Sequence, residues 1–175
     1  LSDYGVNIIG VHLDRKGTMK NVEEIISYIE SNNVVAKFYN INAADEEKRN
    51  ECLNEIEDTI GNSDKKIKIL LHSLAFGSLK PYVSEDSSKN VTQKNMDMTL
   101  DVMANSLVYW TQDIHHRSLF SSNASIFAMS SAGSRKIWPT YGPVSAAKSA
   151  LESHIRQLAF ELAPVGISAN SICAG

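Results

Sequence analysis

The sequence predicts an α/β fold: a doubly wound parallel sheet with helices on both faces. Three observations predict it. Short β-branched apolar runs alternate with stretches of helical apolar periodicity along the whole chain. Most of these runs end in small or polar residues, which an open parallel sheet gathers on the rim where ligands bind. No repeat, linker or composition shift interrupts the alternation, so residues 1–175 read as a single domain.

The elements follow in order. Val6 to His12 is a β-branched run after a glycine, hence a buried strand. Leu13 to Gly17 is a polar turn. The next stretch places Val22, Ile25, Ile26 and Ile29 on one helical face, and Asn32-Asn33 ends it. Val34 to Ile41 is the second strand. A helix from Asp45 turns Leu53, Ile56 and Ile60 inward and stops at Gly61. Ile67 to Leu71 is the third strand, running into His72-Ser73-Leu74-Ala75-Phe76-Gly77. Residues 84–95 lack apolar periodicity and read as a loop or a poorly packed helix start. Met96 to Leu119 is one long helix. Ala124 to Met129 is the fourth strand and delivers Ser130 and Ser131. A helix from Pro143 carries Val144, Ala147, Leu151, Ile155, Leu158 and Leu162 and stops at Pro164. Ile167 to Ile172 is the fifth strand.

Composition narrows the function. A net charge of −3 offers no basic excess for nucleic acid. Two distant cysteines, Cys52 and Cys173, make no disulfide framework and fit a cytoplasmic protein. No apolar run approaches the ~20 residues of a membrane span. The five histidines show no ligand spacing, so no metal is expected. The chain starts without Met, and Leu1 to Gly5 reads as a helix end, so it is expected to be an interior fragment, incomplete at both ends.

The densest chemistry lies in Ser130-Ser131-Ala132-Gly133 and Tyr141-Gly142-Pro143-Val144-Ser145-Ala146-Ala147-Lys148. Pro143 suits the first helical turn. Tyr141 then stands at the mouth of the helix and Lys148 inside it, seven residues on and on the same face. An ammonium near a phenol favours the phenolate, which suits a proton donor or oxyanion binder.

Together these residues resemble the short-chain dehydrogenase/reductase family, over nearly the whole chain. The family's usual spacing of Tyr, three residues, Lys fails here, because Ser145 occupies the Lys position. A Lys seven positions after Tyr141 resembles the divergent branch containing the bacterial enoyl-acyl-carrier-protein reductases. His72-Ser73-Leu74-Ala75-Phe76, Asp101-Val102 with Ser106-Leu107-Val108, and the run from Ser168 to Gly175 are similar to the same branch.

The resemblance implies a Rossmann-like fold and roles for particular residues. Tyr141 would be the catalytic phenol. Lys148 would hold the nicotinamide ribose and polarise Tyr141. Ser131 replaces a second Tyr common in these reductases and would bind a substrate oxygen. Leu13, Asp14, Arg15, Asn40 and Ile41 would meet the adenosine end of the cofactor. Ser73, Leu74, Ala75, Ser130, Ala174 and Gly175 would line it elsewhere, and Gly77 would contact substrate. The expected reaction is NAD(P)H-dependent reduction of an enoyl thioester, on acyl carrier protein or CoA, in fatty acid synthesis. Reduction of a 3-oxoacyl thioester or another carbonyl stays open, as does a non-catalytic dinucleotide-binding scaffold. Asp14 favours NADH and the following Arg15 and Lys16 favour NADPH; two cations against one anion lean to NADPH. A homotetramer is expected, paired through the helices at 96–119 and 143–163.

Overall fold

The computed structural model describes residues 1–61 and 65–174. They form two compact units, Leu1–Asn54 and Glu55–Gly175, taken here in turn.

The first unit holds β1 (Ile8–His12), α1 (Met19–Glu30) and β2 (Ala36–Asn40), and α2 (Glu46–Gly61) begins in it. β1 and β2 pair in parallel, with Ile8 opposite Ala36 and His12 opposite Asn40. α1 buries Val22 and Ile29, as its periodicity predicts, but Ile25 from the same predicted face is exposed. At the amino-terminal edge Asn32 donates to the Ser2 hydroxyl and to the Asp3 carboxylate, which ties the end of α1 to the first turn.

The second unit holds β3 (Ile67–His72), α3 (Gln93–Leu100), α4 (Ser106–His116), β4 (Phe120–Ser131), α5 (Gly142–Leu162) and β5 (Ser168–Ala174). Its sheet is parallel in the order β3-β4-β5. The five predicted strands thus hydrogen-bond as two parallel sheets rather than one. β4 alternates strictly on its buried face: Ala124, Ile126, Ala128 and Ser130 point inward. Leu151, Ile155, Leu158 and Leu162 of α5 pack against that face at helical spacing, with Leu107 of α4 beside them. Gly166 turns the chain from α5 into β5 with φ of +77°, where a Cβ would stand 2.6 Å from the Ser122 carbonyl oxygen.

The segment at 93–119 departs from the predicted single helix. It starts at Gln93 on a capping box in which Thr92 and Asn95 satisfy each other's backbone N–H groups. A wide π turn at Asp101–Asn105 then separates α3 from α4. The Ser106 hydroxyl donates to the Val102 carbonyl across this turn, at 2.8 Å. The helix ends at His116, and β4 begins at Phe120 rather than Ala124. Among the described residues, no helix is long and apolar enough to cross a membrane.

Candidate active site

In the second unit, β3 and β4 deliver their carboxyl ends to one cleft of about 340 Å³. Ser73, Leu74, Ala75 and Gly77 line it after β3, and Ser130 and Ser131 line it at the end of β4. Tyr141 and Lys148 complete the set from α5. Eight sequence-predicted residues therefore meet in one place. Ala174 sits beside Ser131 in the β4–β5 register, while Gly175 lies outside the described residues.

Local structure explains each placement. Tyr141 is the N-cap of α5, and Pro143 occupies its first turn. The phenol hydroxyl donates to the Ser131 hydroxyl oxygen at 3.4 Å. That oxygen also accepts the Gly133 N–H at 3.1 Å, so the Ser131 proton is left to donate elsewhere. Gly133 is required by space, because a Cβ there would collide with the Tyr141 ring and come within 2.7 Å of Trp138. Trp138 meets the Tyr141 ring edge-on at 5.1 Å between centroids and fixes its plane.

Lys148 is only 6% exposed. Its ammonium donates to the Met129 carbonyl at 2.7 Å and to the Leu74 carbonyl at 3.3 Å. These bonds go to backbone rather than to the phenol, and they leave one N–H unspent. Burial lowers its pKa, and among the described residues no carboxylate pairs with it to offset this. A buried ammonium with a spare donor, in a cleft whose β3 edge carries Ser73 and Ala75, fits a ribose hydroxyl and a flat ring.

His72 stands just behind the cleft. The Ser106 hydroxyl spends its proton on Val102, so His72 Nε2–H is the donor in their 2.9 Å bond. Burial first, and the Lys148 charge second, lower the His72 pKa to about 4, which keeps the ring neutral. This is the structural role expected of a hydrogen-bonded strand-end histidine.

The first unit gathers the other predicted residues. Asn40 closes a ring with Asp14: its side-chain oxygen accepts the Asp14 N–H at 2.9 Å, and its amide donates to the Asp14 carbonyl at 3.0 Å. The Asp14 carboxylate lies 2.9 Å from His12 Nδ1, and Thr18 and His12 hold it below the ordinary carboxylate range. The Ile41 N–H donates to the His12 carbonyl. Leu13, Arg15 and Lys16 are exposed.

Sequence reasoning missed Met129, Leu79, Met103 and Val144 as cleft residues. Met129 acts through its carbonyl, which no side-chain signal announces. Val144 was legible as core, and Met103 as part of the helical stripe, but not as cleft lining.

Comparison with known proteins gives the family and the fold. The model of the family described as enoyl-(acyl carrier protein) reductase matches residues 1–175. The enoyl-[acyl-carrier-protein] reductase [NADH] of Enterococcus faecalis is 26% identical over 178 aligned positions, covering 100% of this chain and 64% of that one. The corresponding protein of Buchnera aphidicola subsp. Baizongia pistaciae is 32% identical over 102 residues, 58% of this chain and 38% of that one. The crystal structure of the Aquifex aeolicus enoyl-[acyl-carrier-protein] reductase (NADH) superposes with a TM-score of 0.80 at 23% identity, covering 99% of this chain and 64% of that one. The Rossmann-like α/β fold is thereby shown. This chain spans less than two thirds of each of these relatives. With a family model matched from its first residue to its last, the chain belongs to the enoyl-(acyl carrier protein) reductase family.

Proposed function

We propose that the whole protein is an NADH-dependent reductase of enoyl thioesters carried on acyl carrier protein or CoA. The observation that carries this reading is the Tyr141–Ser131 hydroxyl pair at 3.4 Å, in a cleft shared with the buried Lys148. The nicotinamide would supply hydride to the β-carbon of the substrate. Negative charge then develops on the thioester oxygen. Ser131, whose oxygen is set by the Gly133 N–H, offers its unspent proton to it, and the Tyr141 phenol, its ring plane fixed by Trp138, turns its proton from the long 3.4 Å bond to Ser131 onto the same oxygen. Lys148 offers its unspent N–H to a ribose hydroxyl, and its charge lies in the same cleft as the phenol. Gly77 lets the backbone at the cleft pack closely on Thr99, Met103 and Val144, where a Cβ would come within 2.8 Å of each.

Of the two cofactors expected, we take NADH. Asp14 is an ionised carboxylate just past the end of β1, where an acidic residue favours a free ribose 2′-hydroxyl. The E. faecalis relative is named as an NADH enzyme as well. We further take residues 1–175 as parts of one dinucleotide-binding domain of a cytoplasmic homotetramer serving fatty acid synthesis. Small residues along α5, such as Ser149 and Ser153, permit close helix approach; light scattering that returns a monomer for the full chain would end the tetramer reading.

Ser131, in place of a second tyrosine, supports carbonyl reduction as the second reading. The test offers the full chain crotonyl and acetoacetyl thioesters with NADH and follows nicotinamide absorbance. Faster crotonyl turnover is expected. Faster acetoacetyl turnover reverses the substrate, and no turnover of either leaves a dinucleotide-binding scaffold.

A further inference from the structure

One turn beyond Lys148 on α5, the Glu152 side chain is 14% exposed and does not face the cleft's chemistry directly. Its Oε1 accepts two hydroxyl protons, from Ser130 at 2.6 Å and from Ser134 at 2.8 Å. Ser149, on the same helix, donates to the Ser134 carbonyl at 3.1 Å. The segment from Ser130 to Ser134 is therefore tied to α5 through both of its end residues. Between the ties lie Ser131 and Gly133, whose N–H sets the Ser131 oxygen beneath the Tyr141 phenol. The same helix carries Tyr141 at its mouth and Lys148 inside it.

We propose that Glu152 is a positioning residue, which locks the Ser131 hydroxyl in register with Tyr141 and Lys148 by bridging Ser130 and Ser134. The proposal rests on the reading of this cleft as the reducing site. An oxyanion donor acts only if its oxygen is already at the right place, and small displacements at such a site cost large factors in rate. The Gly133 N–H sets the Ser131 oxygen only within its own turn, and the β4–β5 pairing holds only its backbone; neither ties the turn to α5. Glu152 supplies that tie through one oxygen shared by two donors, which fixes the distance between the ends of the turn as well as their distance from the helix. Arg135, 3.8 Å from the other carboxylate oxygen, is largely exposed and adds little.

The test measures turnover of crotonyl thioester, NADH dissociation and thermal midpoint for the full chain and its variants. Glu152→Ala is expected to lower kcat by about ten- to a hundredfold with NADH affinity little changed. Glu152→Gln should restore most of that loss, because its amide oxygen still accepts both hydroxyls. The Ser130→Ala/Ser134→Ala double variant should resemble Glu152→Ala. If Glu152→Ala fails to fold, the serine double variant decides the matter. Wild-type kcat in Glu152→Ala or in the serine pair, beside an impaired Tyr141→Phe, overturns the positioning role and leaves the site intact. Wild-type turnover in both Tyr141→Phe and Ser131→Ala removes the site reading, and the proposal with it.

Discussion

The loops after β1 and β2 and the cleft after β3 and β4 both gather predicted site residues, but they hold them in opposite ways. In the cleft, Lys148 is buried and fastened to two backbone carbonyls, and Tyr141 is wedged between Trp138 and Gly133. In the first unit, Leu13, Arg15 and Lys16 are exposed, and Asn40 spends its amide on the neighbouring loop. The difference separates two tasks. A group that must meet developing charge needs its position fixed in advance, in a medium where its field is strong. The exposed groups of the first unit act in water, where each contact is weak and local. Substitutions in the cleft should therefore act on turnover, and substitutions in the first unit on binding.

The largest effects belong to the cleft. Tyr141→Phe is expected to lower turnover by about 10²–10³-fold, with NADH affinity nearly unchanged. Lys148→Ala should lower turnover and also weaken NADH, because it removes the proposed ribose donor as well as the charge. Steady-state rates and fluorescence titration of NADH measure both. Undiminished turnover in Tyr141→Phe would dissolve the contrast.

A middle-sized effect comes from His72. Its pKa is about 4 in the fold against 6.5 for an unperturbed histidine. The folded state disfavours the charged ring, so this stabilisation is complete above about pH 6.5 and is lost as pH falls toward 4. The loss should reach about 2–3 kcal/mol. Urea unfolding of wild type and His72→Gln at pH 7 and pH 4.5 reads it: the wild type should lose that much more than the variant. Parallel losses would mean that the ring is not held neutral.

The smallest effect lies in the first unit. Asn40→Ala breaks two exposed hydrogen bonds to the Asp14 backbone, worth about 0.5–1.5 kcal/mol each at most, and a weaker one to the Met19 sulfur. NADH affinity should fall a few-fold, by no more than about tenfold, while kcat at saturating NADH moves less. A drop in kcat larger than the drop in affinity would place Asn40 with the cleft residues instead.

Much of this was legible in the chain. Alternating strand and helix periodicities predicted five parallel strands, and the described residues form five, in two sheets. The spacing of Tyr141 and Lys148 on a helix opened by Pro143 brought both to one cleft, since helical geometry is local and repeats every few residues. Some signals were present and went unread. Thr92 and Asn95 are a capping box that starts α3 inside the stretch read as a loop or a poorly packed helix start. Glu152 lies four residues after Lys148, hence next to it on the helix surface, and could have been singled out by that spacing.

What the sequence by itself determined is the order and type of the elements and the residues able to do chemistry, because both follow from local spacing. Only the tertiary structure decided how those residues are used. The Lys148 ammonium turns to the carbonyls of Leu74 and Met129, 74 and 19 positions away. Asn40 reaches back across 26 positions to the Asp14 backbone. The π turn at Asp101–Asn105 is bridged by Ser106, which in turn receives the His72 proton from another element. A hydrogen bond is chosen by which partner lies within about 3 Å once the chain has packed, and no local periodicity encodes that distance.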